Sequence, residues 1–197
     1  MALKKTGYTE KTSKNYLINA ATVYTDVTYA EGAGFTGTLH GATSGGVTLT
    51  IEQAYRDIEV DGTGHMKVKG NKVLESAFAS ATVNLKEITA ESIRQSLNGA
   101  IETAATADAP TGYKVITTKR YVEDTDYIAN MAIVGILSGT DEPVIAILDN
   151  VISTGGLELA TEDNNETVIE QTFEAHATVE QLDADEFPWK ILFPTVA

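Results

Sequence analysis

The chain has 197 residues, a formal charge of −14 and no cysteine, which is length enough for one domain with its own core and excludes disulfides, thiolate zinc sites and cysteine nucleophiles together. Its hydrophobic content of 43% is that of a globular protein, and its longest apolar runs, such as MAIVGIL at 131–137, fall well short of the roughly 20 residues a membrane-spanning helix needs. The charge is unevenly placed: residues 121–197 carry one lysine against sixteen acids, whereas the first 120 residues are close to neutral. Gripping nucleic acid through its phosphates requires the opposite balance, because Lys and Arg release the counterions. The acidic excess either keeps the protein soluble or repels a polyanion that passes close to it.

The elements follow in chain order. Residues 1–16 carry Lys4, Lys5, Lys11 and Lys14 with few apolar anchors, and read as an arm that is mobile until a partner orders it, or as a solvated tail. No apolar stretch with a small-residue cleavage site follows them, so the expectation is a protein made in a cytoplasm, without a signal peptide and without membrane insertion. Segments 17–29, 35–40 and 46–51 are rich in Thr, Val, Tyr and Leu between Gly-rich breaks, the signature of strands with turns. Residues 52–72 read as a long loop carrying Arg56, Asp57, Glu59 and Asp61. In 73–86, Ala77, Ala79, Ala81, Val83 and Leu85 alternate with Phe78, Ser80, Thr82 and Asn84, a period-2 strand with one buried and one mostly polar face.

The period then changes. Over about 88–98, Thr89 can cap a helix, Ile88 and Ile93 suit a hydrophobic staple, Ile93 and Leu97 share a face and Gly99 suits a stop. The small, polar IETAATADAPTG after it reads as a flexible loop. Strands are predicted at 113–122, 127–137, 143–153 and 167–179, with a turn at 161–166, and FPWKILFP reads as a short terminal strand between prolines. Nine to eleven strands and one helix make a mainly β protein in a single domain over 1–197, closed by a C-terminal segment at about 180–197.

Catalytic and metal motifs fail on spacing. His40, His65 and His176 lie far apart with no H-E-x-x-H pattern; DGTGH lacks the third glycine of a dinucleotide fingerprint; GATSGGV lacks the Lys-Ser/Thr of a P-loop; and there is no G-x-S-x-G elbow. On a strand, Asp57, Glu59 and Asp61 would line one solvated face. The expectation is no enzyme, no catalytic residue, no metal site and no cofactor.

The order of the whole pattern resembles the major tail tube proteins of long-tailed, non-contractile bacteriophages. The residues that carry the resemblance are GGVTLTIEQAYRDIEVDGTG (45–64), MKVKGNKVLESAFASATVNLKEITAESI (66–93), RYVEDTDYIANMAIVGILSGTDEPVIAILDNV (120–151) and FEAHATVEQLDADEFPWKILFP (173–194). The resemblance implies a β-sandwich or barrel-like tail tube fold with one flanking helix, forming a shared ring β-barrel on oligomerisation. It implies a structural virion protein of the tail, assembled in the host cytoplasm as stacked hexameric rings through which DNA passes without specific binding. Its partners would be further copies of itself, a tape measure protein, a tail terminator and tail-tip or distal tail proteins.

The 52–72 stretch occupies the position of that family's long inter-subunit loop. The contact residues so implied are Lys4, Lys5, Lys11, Lys14, Arg56, Asp57, Glu59 and Asp61, and Ser80, Thr82 and Asn84 are assigned to the lumen wall. Two other readings compete with this one. The first is the tube of a contractile injection system, such as a type VI secretion or pyocin tube; the second is a β-sandwich binding or decoration module.

Overall fold

The computed structural model describes residues 6–62, 64–103, 109–140 and 142–195. In chain order these form β1 (Leu17–Ala30), β2 (Gly34–Leu39), β3 (Thr43–Asp57), β4 (Lys72–Leu85), α1 (Ala90–Leu97), β5 (Gly99–Thr103), β6 (Lys114–Thr118), β7 (Ile128–Leu137), β8 (Pro143–Ser153), β9 (Ile169–Glu174), α2 (Val179–Asp183) and β10 (Trp189–Leu192). The protein is mainly β, as the sequence predicts. One sheet runs β2-β1-β7-β8 with β10 added to β8, and the other runs β3-β4-β9. Every pairing is antiparallel.

The sheets are packed face to face because each has an apolar side. Val23, Met131, Ile133 and Leu148 from the first meet Ala79, Ala81, Val83 and Phe173 from the second. Burial of each large side chain contributes about 1.5–3 kcal/mol. Phe173 is the cross-strand partner of Ala81, so a small residue stands beside the largest one in the core. The alternation predicted for 73–86 holds: Ala79, Ala81, Val83 and Leu85 are buried, and Phe78 is 68% exposed. β7 is apolar on both faces, since Ala132 packs with Ile145 and Ile147 on the side away from the sandwich.

Three Asn and Asp residues bend the strands. Asn19 and Asp26 have left-handed φ of 65° and 53° and fall where β1 loses register with β7 and with β2. Short polar side chains tolerate that conformation and bulges exploit it. Asn150 does the same in β8, at φ 47°. Beyond it the strand changes sheets, pairing Ile152 with Glu174 and Ser153 with Phe173, and its side chain donates from Nδ2 to the His176 carbonyl at 3.1 Å.

Four predicted boundaries are corrected. The loop expected over 52–72 is shorter, because β3 and β4 stay paired out to Asp57 and Lys72. Ile101–Thr103, expected to open a flexible loop, belongs to a strand, Gly99–Thr103, paired with Lys114–Thr118. Glycine is required at 99 by close approach, since a Cβ there would fall 2.5 Å from the Thr117 carbonyl oxygen. The helix stop is instead Asn98, at φ 47°. The strand expected over 167–179 ends at Glu174, and Thr178 and Gln181 form the capping box of α2, a second short helix.

α1 also turns a different face inward. Its buried residues are Ser92 and Ser96, whereas Ile88, expected in a staple, remains exposed. The serines face Gln171 of β9, whose side chain is fully buried. Gln171 Nε2 donates to the Ser92 carbonyl at 2.8 Å and to Ser96 Oγ at 2.7 Å, and its Oε1 lies 2.9 Å from His40 Nε2. A side-chain amide oxygen can only accept, so His40 Nε2 is the donor. Burial pushes the His40 pKa down, against the smaller opposing effect of this hydrogen bond.

Candidate functional site

The features with functional potential are surfaces. Among the described residues no group of three or more His, Asp or Glu is placed to hold a metal ion, and no helix is long and apolar enough to cross a membrane.

The first surface is the hairpin arm. β3 is the last strand of its sheet, and Glu52–Asp57 are all exposed. β4 is paired with β9 only from Ser80 onward, so the stretch of hairpin beyond Glu52 and Phe78 stands clear of the sandwich. Its end is held by Asp57 and Lys72, paired across the strands at 3.0 Å, and by the Ile58 amide donating to the Asn71 carbonyl at 2.7 Å. The arm is polar and charged, with Arg56, Asp57, Glu59 and Asp61 all exposed. It also exposes large apolar side chains, among them Tyr55, Ile58, Met66, Val68 and Phe78. Such a concentration of exposed apolar area marks an interaction surface more often than a solvated loop.

The second surface is the outer face of the β3-β4-β9 sheet. Cross-strand register fixes its rows: Thr48, Thr82 and Thr172; Thr50, Ser80 and Glu174; and Asn84 beside Glu170. Thr82 and Thr172 hold their hydroxyls 3.4 Å apart, and Asn84 Nδ2 donates to the Gly46 carbonyl at 3.4 Å. Segments 48–52, 78–84 and 170–174 contain no lysine or arginine. The structure therefore brings Ser80, Thr82 and Asn84 together on one face, with Glu52, Glu170 and Glu174 beside them. Those three acids are the part of the surface that reading single strands missed, since only the pairing register reveals it.

The third surface is the N-terminal segment. Lys4 and Lys5 lie outside the described residues. Lys11 precedes, and Lys14 ends, a single 3-10 turn. Ser138 ties this segment to the β7–β8 turn, donating from Oγ to the Ser13 carbonyl at 2.5 Å and from its amide to the Tyr16 carbonyl at 2.9 Å. Residue 139 is glycine because a Cβ there would overlap the Lys14 backbone.

One buried ionic cluster fixes the frame behind these surfaces. Asp126 is 3% exposed and accepts from Lys119 Nζ at 2.8 Å and from the Glu123 amide at 2.9 Å. The Lys119 hydrogen bond, above all, holds its carboxyl below the usual aspartate range. Arg94 of α1 approaches the same carboxylate at 3.9 Å, so the helix is anchored to the segment entering β7.

No family model and no curated protein matches the chain. Solved structures similar to it include two from phage-derived particles. One is a chain of the virion of a native gene transfer agent particle, with a TM-score of 0.41 and 12% identity over 80% of this chain and 92% of that one. The other is a chain of the six-fold symmetrised cryo-EM structure of the anti-feeding prophage baseplate, with a TM-score of 0.42 and 10% identity over 90% and 95%.

Proposed function

We propose that the protein is the structural subunit of a hollow tail tube, assembling as stacked six-copy rings with the outer face of the β3-β4-β9 sheet toward the lumen. The observation that carries this reading is the composition of the part of that face where the three strands lie side by side: hydroxyls, an amide, carboxylates and Phe78, with no lysine or arginine in 48–52, 78–84 or 170–174. A DNA duplex carries about one negative charge per 1.7 Å and binds to surfaces that release its counterions. A wall of this composition gives it nothing to bind.

The dimensions suit a conduit. The sheet has three complete strands, the fourth contributing only the end of β8. Eighteen strands from six copies, at roughly 4.8 Å spacing and about 40° tilt, close a barrel of roughly 36 Å. β3 offers a full-length unpaired edge for that closure, and an exposed edge of this kind is a template for pairing with another chain. The hairpin arm, carrying Arg56, Asp57, Glu59 and Asp61, reaches toward a neighbouring copy and is a mechanical connection, with no catalytic part assigned to it.

Negative-stain imaging and analytical ultracentrifugation of concentrated protein, alone and with a nucleating tail-tip complex, test this reading. Hollow tubes built of six-copy rings are the expected product. Monomers alone in the presence of the complex overturn it.

A further inference from the structure

The β2-β1-β7-β8-β10 sheet is apolar on the face that turns away from the sandwich as well as on the face within it. Ala132, Ile145 and Ile147 pack there with Val27, Val134 and Leu192. Two hollows open on this face, one of about 440 Å³ over Ala132, Val134 and Ile145 and one of about 390 Å³ beside Ile147 and Leu192. Val27 and Phe35 line both, so they form the ridge between the hollows. Phe35 stacks on Tyr29 with ring centroids 4.9 Å apart, and the two rings are 44% and 65% exposed. The face thus carries a convex aromatic ridge beside concave apolar hollows.

Its uncharged polar side chains are already paired with partners of their own. Asn130 Oδ1 accepts from the Val27 amide at 2.6 Å and its Nδ2 donates to the Val27 carbonyl at 3.0 Å, beside the bulge at Asp26. Thr28 and Thr36 hold their hydroxyls 2.9 Å apart. Taking water off the face strands none of these groups, and stranding them is what makes a polar surface costly to cover. Five strands at roughly 4.8 Å and the seven residues of 143–149 at about 3.3 Å give about 550 Å² in plan. Surface relief adds to that, and specific interfaces begin at about 600 Å² per partner.

Charge identifies the occupant. Of the residues that line the two hollows, only Asp149 and Lys190 are charged, and neither is in a salt bridge among the described residues. Lys190 is also the one lysine or arginine in 121–197. A cover must therefore bring one charge of each sign, apolar hollows for the ridge and a ridge for the hollows. The same face of a second copy brings all of them. In an isologous pair every contact occurs twice, so Lys190 of each copy meets Asp149 of the other.

We propose that the free subunit pairs back to back with a second copy through this outer face, Tyr29 and Phe35 of each seating in a hollow of the other. The pairing goes beyond the tube reading and does not depend on it. It keeps an apolar face out of water in the unassembled protein and leaves the β3-β4-β9 face and the β3 edge uncovered.

Sedimentation equilibrium of the full chain, below the concentration at which tubes form, should show a reversible monomer–dimer equilibrium. Lys190→Asp should weaken it about tenfold or more, because acid then faces acid across the pair, and Asp149→Lys should weaken it likewise by setting cation against cation. Mixing the two variants restores opposite charges at both contacts and should return the dimer to near its native affinity. Urea midpoints establish that both variants are folded. A chain that stays monomeric, as one whose outer face awaits a different protein would, overturns the proposal, and so does a mixture of folded variants that fails to pair.

Tyr29→Ser with Phe35→Ser tests the ridge without touching the charges. Both rings are exposed, so the fold should hold while the dimer weakens about tenfold or more. Native dimerisation in this variant would place the contact elsewhere and overturn the proposal. Dimers of a chain that never builds tubes would sustain the pairing and sink the tube reading.

Discussion

Gln171 of β9 donates to Ser96 of α1 at 2.7 Å, fully buried, and this bond with its companion to the Ser92 carbonyl holds the helix to the sandwich. Replacing Gln171 with alanine leaves a cavity and strands His40 Nε2 without its partner, while the Ser96 hydroxyl keeps only its bond to the Ser92 carbonyl. An unsatisfied buried polar group costs about 1–3 kcal/mol, and with the cavity the Gln171→Ala chain should lose roughly 3 kcal/mol. Urea unfolding measures the loss. Amide exchange should show α1 opening more readily than β7 and β8, and uniform destabilisation would mean that the network does not anchor the helix.

His40 gives stability a pH dependence of definite sign. Burial lowers its folded pKa below 6.5, so the folded chain binds fewer protons than the unfolded chain between those two values. Stability is therefore full above the unfolded pKa and falls as pH drops from about 6.5 through the folded pKa. Urea midpoints at pH 7.5 and 5.5 should differ in the native chain and differ less in His40→Gln. An unchanged slope in the variant would place the titration elsewhere. Asp126 acts in a lower window: its folded pKa lies below 3.8, so its contribution persists until pH falls through that acid range.

The alternation of Ala79, Ala81, Val83 and Leu85 was legible because one face of β4 is buried and the other is not, which is the condition under which a period of two appears in sequence. The face of α1 was not legible. Binary patterning assigns Ile93 and Leu97 inward, but the partner is a buried amide, which the Ser96 hydroxyl satisfies where a leucine side chain could not, with the Ser92 backbone carbonyl as its second acceptor. β5 is not legible because Gly99, Ala100 and Glu102 carry little strand preference and the pairing with β6 decides the matter. α2 did announce itself through Thr178 and Gln181 in capping-box spacing, a signal outweighed by the β-rich run before it. Of the candidate surfaces, Ser80, Thr82 and Asn84 could be grouped from one strand, whereas Glu170 and Glu174 join them only through the register with β9.

The exposed apolar side chains of the arm separate folding from assembly. Met66 is 68% exposed and Val68 is 48% exposed, so changing both to serine removes little buried area and should leave the unfolding midpoint within about 0.5 kcal/mol of the native chain. Assembly should suffer, because an apolar arm docks by burying those groups on its neighbour at about 25 cal/mol per Å². Sedimentation of the Met66→Ser, Val68→Ser chain should show folded protein that forms rings or tubes only at higher concentration than the native chain. Assembly at the native concentration would mean that the arm does not carry the contact.

Lysine at positions 80 and 84 tests whether the composition of the sheet face matters. Ser80 stands beside Glu174 and Asn84 beside Glu170, all on the outer face, so Ser80→Lys with Asn84→Lys introduces cations where carboxylates can pair with them and the fold can tolerate them. A six-copy ring would gain about twelve positive charges, repeated along the tube, and those not neutralised by glutamate would release counterions from a passing duplex. Tubes of the double variant should assemble normally. DNA should be retained on the wall at low salt and released as salt is raised, since screening weakens the attraction, and genome ejection should slow correspondingly. The conservative Ser80→Thr, Asn84→Gln chain should behave as native. Ejection at the native rate from lysine-bearing tubes at low salt would mean that this face looks away from the lumen.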